Sequence, residues 1–149
     1  MSRLTDISIR VEPLVSDGLS VNSGGLGGGV AAILMEVSTL LGRLVDSQTP
    51  AAIDLRSLPM SPNDRVALER ALGEGEVRAT VDAQGLSTIV ETRIAGIWWV
   101  KHCNAQGDLV AELLEVTRVP DILACAPDDI AAGVQTLRAQ IATITARPS

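Results

Sequence analysis

Two adjacent tryptophans constrain the fold of this chain more than any other feature. Trp98 and Trp99 are its only residues of the Phe, Tyr and Trp class, and they lie in the strand-like run from Ile97 to Val100. Adjacent residues on a strand point to opposite faces of the sheet, so the two indoles cannot share one ordinary core. Two interpretations stay open. Either helices cover both faces, or one indole is a contact surface for a partner.

The sequence around the tryptophans has the pattern of an antiparallel meander. Alternating apolar and polar residues, separated by turns, predict strands at 76–82, 86–95, 97–103 and 109–116. Gly96 interrupts the strand-like run, which indicates a bulge or a close backbone approach. The segment Ala51–Leu55 is short and apolar enough for a first strand, although Asp54 would interrupt its buried face.

Three segments have the features of helices. Apolar residues recur every three or four positions over 30–45 and 127–146, which predicts two helices with one apolar face each. The best delimited helix is Pro62–Leu72, with Ser61 as a candidate N-cap and Asp64 three residues later. The predicted fold is therefore α+β, an antiparallel meander sheet of about four strands with amphipathic helices packed mainly on one face.

The N-terminal segment differs in composition from the rest of the chain. Residues 1–29 are predicted to be irregular and flexible, ending in a Gly-rich linker at 23–29, and residues 30–146 are predicted to form a single domain. The linker lacks the glycine spacing of dinucleotide-binding loops, and no Gly-Lys-Ser/Thr follows it. We therefore interpret it as a connection and not as a nucleotide site.

Charge and composition restrict the partners and the compartment. The net charge of −6 and the pI near 4.7 disfavour binding to nucleic acid or to an anionic membrane. The N-terminus lacks a basic flank followed by an apolar core, and no stretch has the roughly 18 uninterrupted apolar residues of a membrane helix. We therefore predict a cytoplasmic protein in which Cys103 and Cys125 are free thiols.

The residues that most often carry catalysis or bind metals form no recognisable set. His102 is the only histidine and directly precedes Cys103, so on a strand their side chains point apart. Neither Cys-x-x-Cys nor His-x-x-x-His occurs, and Glu112 and Glu115 are interpreted as a solvated strand face. We predict no catalytic residue, no cofactor and no metal site.

Three classes of function stay open on the residues alone. A protein-interaction or assembly module fits the acidic charge and the tryptophan pair. A small-molecule-binding domain would use the sheet face around Gly96 and the two indoles. A minimal enzyme would have to rely on a few polar side chains, namely Asp54, Arg56, Glu91, Arg93 or His102.

Several short motifs resemble the C-terminal domain of the HupH/HyaF hydrogenase expression proteins. They are Ile53–Pro62, Leu72–Val77, Glu91–Arg93 with Gly96–Trp98, and Asn104–Gly107, and the similarity spans about residues 33–122. The resemblance implies a non-catalytic assembly factor or chaperone that acts on the iron–sulfur small subunit of an uptake nickel–iron hydrogenase before export. The implied partners are the small-subunit precursor and other hydrogenase maturation proteins, and a homodimer is compatible with this interpretation.

The expected contact residues follow from this interpretation. Trp98 or Trp99 would anchor the partner, and Glu91, Arg93 and Arg56 would supply charged hydrogen bonds around the anchor. Ordinary exposed ion pairing, worth under about 1 kcal/mol, explains those three charges equally well.

Overall fold

The computed structural model describes residues 27–146 as a five-stranded sheet with three α-helices. The elements in chain order are α1 (Gly28–Ser47), β1 (Ala51–Asp54), α2 (Pro62–Leu72), β2 (Arg78–Asp82), β3 (Leu86–Glu91), β4 (Ile97–Cys103), β5 (Leu109–Val116), a 3-10 turn (Asp121–Leu123) and α3 (Pro127–Thr145). Of the predicted flexible N-terminal segment, residues 1–26 lie outside the described part of the chain. Gly28 and Gly29, predicted as linker, belong to the first turn of α1.

The strands form one antiparallel sheet in the order β1-β5-β4-β3-β2. Strands β2 to β5 follow one another as the predicted meander. Strand β1 adds a fifth strand by pairing with β5, so that Ala51 lies opposite Val116. The α+β class is confirmed, and the sheet has five strands where about four were predicted.

The β3–β4 turn explains why the strand-like run is interrupted. Strand β3 ends at Glu91, earlier than predicted, because the chain reverses over residues 93–96, where the Ile97 N–H donates to the Ile94 carbonyl at 3.2 Å. Gly96 has a φ of +86°, and a Cβ there would lie 3.1 Å from Leu41 Cδ1 on α1. The close backbone approach predicted at Gly96 is therefore confirmed.

Helices α1 and α2 pack on the face of the sheet that carries Trp99. The buried side chains of the two helices are Val30, Ile33, Val37, Leu40, Leu44, Leu68 and Leu72. They form one cluster with Trp99 and with Leu114 and Val116 of β5. Each such aliphatic side chain stabilises the fold by about 1.5–3 kcal/mol on full burial, so this cluster is the main core.

Among the described helices, α1 is long and apolar enough to cross a membrane by length and composition, with a mean hydropathy of 1.5. In the structure one side of α1 forms the inner layer of the domain, and Met35 and Val45 on its other side are exposed. Its five buried residues pack in the core cluster, and Leu34 and Leu41 widen the apolar stripe beside them. We therefore describe α1 as a core helix lying on a sheet.

Trp98 packs on the opposite face of the sheet. It clusters with Ile89 and Val100, and its Nε1–H donates to the Thr117 carbonyl at 3.1 Å. Leu123 of the 3-10 turn packs against the same cluster. The two indoles therefore face opposite sides of the sheet, as predicted, and both are buried, with 5% of Trp98 and 7% of Trp99 exposed.

Helix α3 has the predicted position but an unexpected environment. It spans Pro127–Thr145, and none of its residues is buried within the described part of the chain. Helices α1 and α2 already cover one face of the sheet. On the other face, Leu123 in the connection after β5 packs against the cluster of Trp98. α3 therefore does not join the helices that pack on the sheet.

Candidate binding groove

Helix α2 forms one wall of the candidate site, and a capping box determines where this helix begins. The Ser61 hydroxyl accepts the Asp64 N–H at 3.1 Å, and Asp64 Oδ2 accepts the Ser61 N–H at 3.0 Å. Pro62 occupies the first helical position, as predicted. Hydrogen bonds from the Ser61 side chain and backbone hold the pKa of Asp64 below its ordinary value of 3.8.

A groove of about 470 Å³ lies between α2 and the strands β2, β3 and β4. Its apolar and threonine side chains are Val66, Thr88, Val90, Thr92 and Trp99. Its charged side chains are Glu69, Arg70, Glu74, Arg78 and Lys101. An apolar surface with a few charged groups of both signs is the usual character of a binding site, so we take this groove as the candidate functional site.

Trp99 and Glu112 form the buried base of the groove. The Trp99 Nε1–H donates to Glu112 Oε1 at 2.9 Å, and Glu112 is only 1% exposed. The prediction that Glu112 belongs to a solvated strand face is therefore wrong. The physical reason is its place in the strand, since Glu112 alternates in phase with Leu114 and Val116, which both lie in the core.

Two cations compensate the buried Glu112 carboxylate. The Arg65 guanidinium pairs with Glu112 Oε2, and Lys101 Nζ lies 3.6 Å from Glu112 Oε1. Lys101 Nζ also lies 3.5 Å from Glu69 Oε1 and 5.5 Å from the centre of the Trp99 ring. A buried carboxylate without partners would be strongly unfavourable, so this network joins α2, β4 and β5 beneath the groove.

A close backbone approach builds the end of the groove nearest to the β3–β4 turn. The Arg93 N–H donates to the Leu72 carbonyl at the end of α2, at 3.0 Å. A Cβ at Gly75 would lie 2.5 Å from the Thr92 carbonyl oxygen, so a larger residue does not fit there. The Arg93 side chain packs over Gly73, where a Cβ would lie 3.1 Å from it.

The structure separates the five residues predicted to contact a partner. Trp99 lines the groove, and the exposed Arg93 lies at its end. Trp98 and the half-buried Glu91 are cross-strand neighbours on the opposite face. The exposed Arg56 donates from its guanidinium to a backbone carbonyl of β5. A partner in the groove would therefore meet Trp99 and Arg93 together, without Trp98 or Glu91.

Sequence reasoning missed three residues of this site, Arg65, Lys101 and Glu112. The phase of Glu112 with the core residues of β5 was a signal that could have been used. Arg65 and Lys101 carried no comparable signal, because single basic residues on a helix or strand are usually solvated. Their role appears only when α2 and β4 come together around the carboxylate.

Two polar features lie on the opposite face, away from the groove. Ser87 Oγ is 2.8 Å from His102 Nδ1, and the two residues are cross-strand neighbours on β3 and β4. Burial raises the pKa of Glu115, which is half-buried; the charge of His102 partly opposes this shift, and that of Asp121 adds to it.

Thiols and metal-binding side chains are dispersed in the described part of the chain. Cys103 is half-buried and Cys125 is exposed, and both are free thiols, as predicted. Within residues 27–146 no group of three or more His, Cys, Asp or Glu residues is arranged to hold a metal ion.

The part of the chain that matches known proteins includes every residue that lines the groove. The family model described as the C-terminal conserved region of the HupH hydrogenase expression protein matches residues 29–144. A solved structure, the hydrogenase expression protein HupH from Thiobacillus denitrificans, is 35% identical with a TM-score of 0.76, and the alignment covers 78% of this chain and 98% of that one.

Two curated relatives are similar over a shorter part of their length. The hydrogenase expression/formation protein HoxQ of Azotobacter vinelandii is 39% identical over 90 residues, which is 60% of this chain and 32% of that protein. The hydrogenase expression/formation protein HupH of Rhizobium leguminosarum bv. viciae is 31% identical over 100 residues, or 67% of this chain and 36% of that protein. The chain thus spans about a third of the length of these relatives.

Proposed function

Because this chain belongs to the HupH hydrogenase expression protein family, through that family's C-terminal conserved region, we propose that it acts in hydrogenase maturation. Its relatives are named hydrogenase expression/formation proteins, which supports this role. In finer detail, we propose a non-catalytic assembly factor or chaperone. It binds the iron–sulfur small subunit of an uptake nickel–iron hydrogenase before export, in the cytoplasm, alongside other maturation proteins.

The observation that carries the proposal is the open groove between α2 and β2 to β4, inside the region that matches the family. Val66, Val90 and Trp99 offer apolar surface to an apolar segment of the partner chain. Glu69 and Lys101 offer charges of both signs at its edge. Apolar centres with polar rims are the usual anatomy of protein interfaces.

We assign the floor of the contact to Trp99, of which 7% is exposed, the main apolar contact to Val66, of which 45% is exposed, and a peripheral contact to Arg93. The indole of Trp99 is held rigidly by its hydrogen bond to Glu112, so binding to it costs little side-chain ordering. Rigid aromatic side chains of this kind are frequent hot spots in interfaces. Trp98, Glu91 and Arg56 lie outside the groove, and we give them no part in this contact.

Co-purification with hydrogenase subunits tests the proposed function. A tagged full chain is expressed together with the small-subunit precursor, with and without the export signal of the precursor. We expect the chain to retain the small subunit through washing. If neither form of the small subunit is retained, and no companion maturation protein is retained either, the proposed function is wrong.

One observation favours a second function, small-molecule binding. The groove volume of about 470 Å³ lies within the usual range for ligand sites, roughly 300–1,000 Å³. Such a ligand would contact Trp99 and not the surroundings of Gly96, because Gly96 is covered by Leu41 and Leu44 of α1. Titrating metabolites while following tryptophan fluorescence distinguishes the two functions, since only ligand binding gives a saturable change without a protein partner.

A further inference from the structure

Helix α3 exposes an apolar face that the described domain does not cover. Its five large apolar side chains, Ile130, Val134, Leu137, Ile141 and Ile144, are between 42% and 72% exposed. The residue before the helix, Ala126, makes no side-chain capping hydrogen bond. Most helical stability in proteins comes from packing of an apolar face, and no residue of α3 is buried within the described domain. We therefore expect a partner surface against α3.

The spacing of these side chains indicates what kind of surface covers them. They recur at intervals of four, three, four and three residues, which is the strict heptad seam of a coiled coil. The seam is narrow, because its neighbours on the helix are small or polar, including Ala131, Gly133, Gln140 and Thr145. A narrow seam of this kind packs on another helix.

Helix α1 has a wider apolar face than α3, and it packs on a sheet. Its buried residues have similar spacing, but Leu34 and Leu41 widen the stripe, and α1 lies on a sheet. No large apolar residue widens the seam of α3 in this way. The two helices therefore differ in the surface that they fit, a sheet for α1 and a single helix for α3.

We propose that two copies of this chain pair in parallel through α3, forming a short two-stranded coiled coil. The seam is self-complementary, as a two-fold interface requires, since both copies present the same aliphatic residues. Val134 and Ile141 take the a positions and Leu137 the central d position, the combination that favours two strands. The outer d positions are Ile130 and Ile144, residues that are also found at d in three- and four-stranded coiled coils, so a trimer or tetramer in solution would overturn the two-stranded pairing.

The flanking charges determine the orientation of the pair. Among the described residues of α3, Arg138 is the only charged one directly beside the seam, and in a parallel pair it lies near Gly133 of the second copy's helix. An antiparallel pair centred on Leu137 would bring the two Arg138 side chains together. Five half-exposed branched side chains from each copy bury an area of the order of 1,000 Å² in total, which is about what a specific interface needs.

Sedimentation of the full chain over a dilution series tests the pairing. We expect a dimer whose dissociation constant rises at least about thirtyfold in Leu137→Asp, the effect of a hot-spot residue. Thr136→Asp, on the adjacent exposed face, is the matched control and should remain dimeric. A wild-type chain that stays monomeric up to about 100 µM overturns the proposal. A Leu137→Asp variant that dimerises as well as the control also overturns it.

Cross-linking tests the parallel orientation. Ile144→Cys, in a chain with Cys103→Ser and Cys125→Ser, places one thiol near the C-terminal end of the seam in each copy. We expect a disulfide-linked dimer on mild oxidation, because the two copies of position 144 face each other in a parallel pair and lie at opposite ends of the seam in an antiparallel pair. A dimer without this cross-link contradicts the parallel arrangement. Circular dichroism of each variant checks that the sheet remains folded.

Discussion

The helix-side face of the sheet has two halves that differ in how they are covered. Beneath α1, Ile97, Leu114 and Val116 are at most 1% exposed and form a closed core. Beside α2, Thr88 and Val90 of β3 are only half-buried and line an open groove. The difference indicates a division of roles in one surface, in which the closed half supplies stability and the open half is available for binding.

The cause of this difference lies in the two helices. α1 spans Gly28–Ser47 with a wide apolar stripe, whereas α2 spans Pro62–Leu72 and buries only Leu68 and Leu72. Trp99 stands at the boundary, because it belongs to the core cluster and also lines the groove. Substitutions in the two halves should therefore have effects of different kinds.

Removing a side chain from the closed half should have the largest effect on stability. Leu114 is fully buried, so we expect Leu114→Ala to lower the free energy of unfolding by about 3 kcal/mol through lost packing and a cavity. Val90→Ala in the open half should cost less than about 1 kcal/mol. Urea denaturation measures both free energies of unfolding, and equal losses in the two variants would contradict the proposed difference between the halves.

The charge network below the groove should have the next largest effect. In Arg65→Met the buried Glu112 carboxylate keeps only Lys101 and the Trp99 N–H, so we expect a loss of about 2 kcal/mol. Glu112→Gln in the same background should restore part of the stability, because no charge is then buried. Additive losses in this double-mutant cycle would show that the two residues do not interact.

The helix cap that positions the wall of the groove should have a smaller effect. Ser61→Ala removes the acceptor for the Asp64 N–H, and we expect a loss of about 1 kcal/mol by thermal or urea unfolding. Ser38→Ala is the matched control, because Ser38 is exposed on α1 and its hydroxyl makes no hydrogen bond within the described residues, so this change should not lower the stability. An unchanged unfolding midpoint in Ser61→Ala would show that the cap does not determine the stability of α2.

The same cap predicts a pH dependence. The pKa of Asp64 is lower in the folded chain than its ordinary value, so the folded state binds fewer protons and Asp64 stabilises it above about pH 4. That contribution is lost as the pH falls through the folded pKa. The difference in the free energy of unfolding between wild type and Asp64→Asn should therefore be largest at pH 6 and become smaller at acidic pH. A difference that is constant with pH would contradict this assignment.

Lys101 should have the smallest effect on stability, although it lines the groove. Its ammonium group is partly exposed and its ion pairs are 3.5 and 3.6 Å long, so Lys101→Met should cost less than about 1 kcal/mol. If Lys101 contacts the partner, the same variant should bind more weakly. Calorimetric unfolding together with a binding titration separates the two effects.

Local signals made some elements predictable from the sequence. The bounds of α2, β4 and β5 agree with the structure, because a cap or a turn marks each of them. No local sequence signal indicates which strand pairs with the edge strand β1, because its partner β5 is distant in sequence. The groove is less predictable still, since the two cations that compensate the buried Glu112, Arg65 and Lys101, approach it only in the folded chain.

The most direct test of the central claim is calorimetric titration of the small-subunit precursor into two variants of the full chain. Val66→Asp places a charge in the groove, and Val45→Asp places the same charge on the exposed side of α1. We expect Val45→Asp to bind like wild type and Val66→Asp to bind at least about tenfold more weakly, because an aspartate disrupts an apolar contact. Equal binding by the two variants would contradict the groove as the binding site.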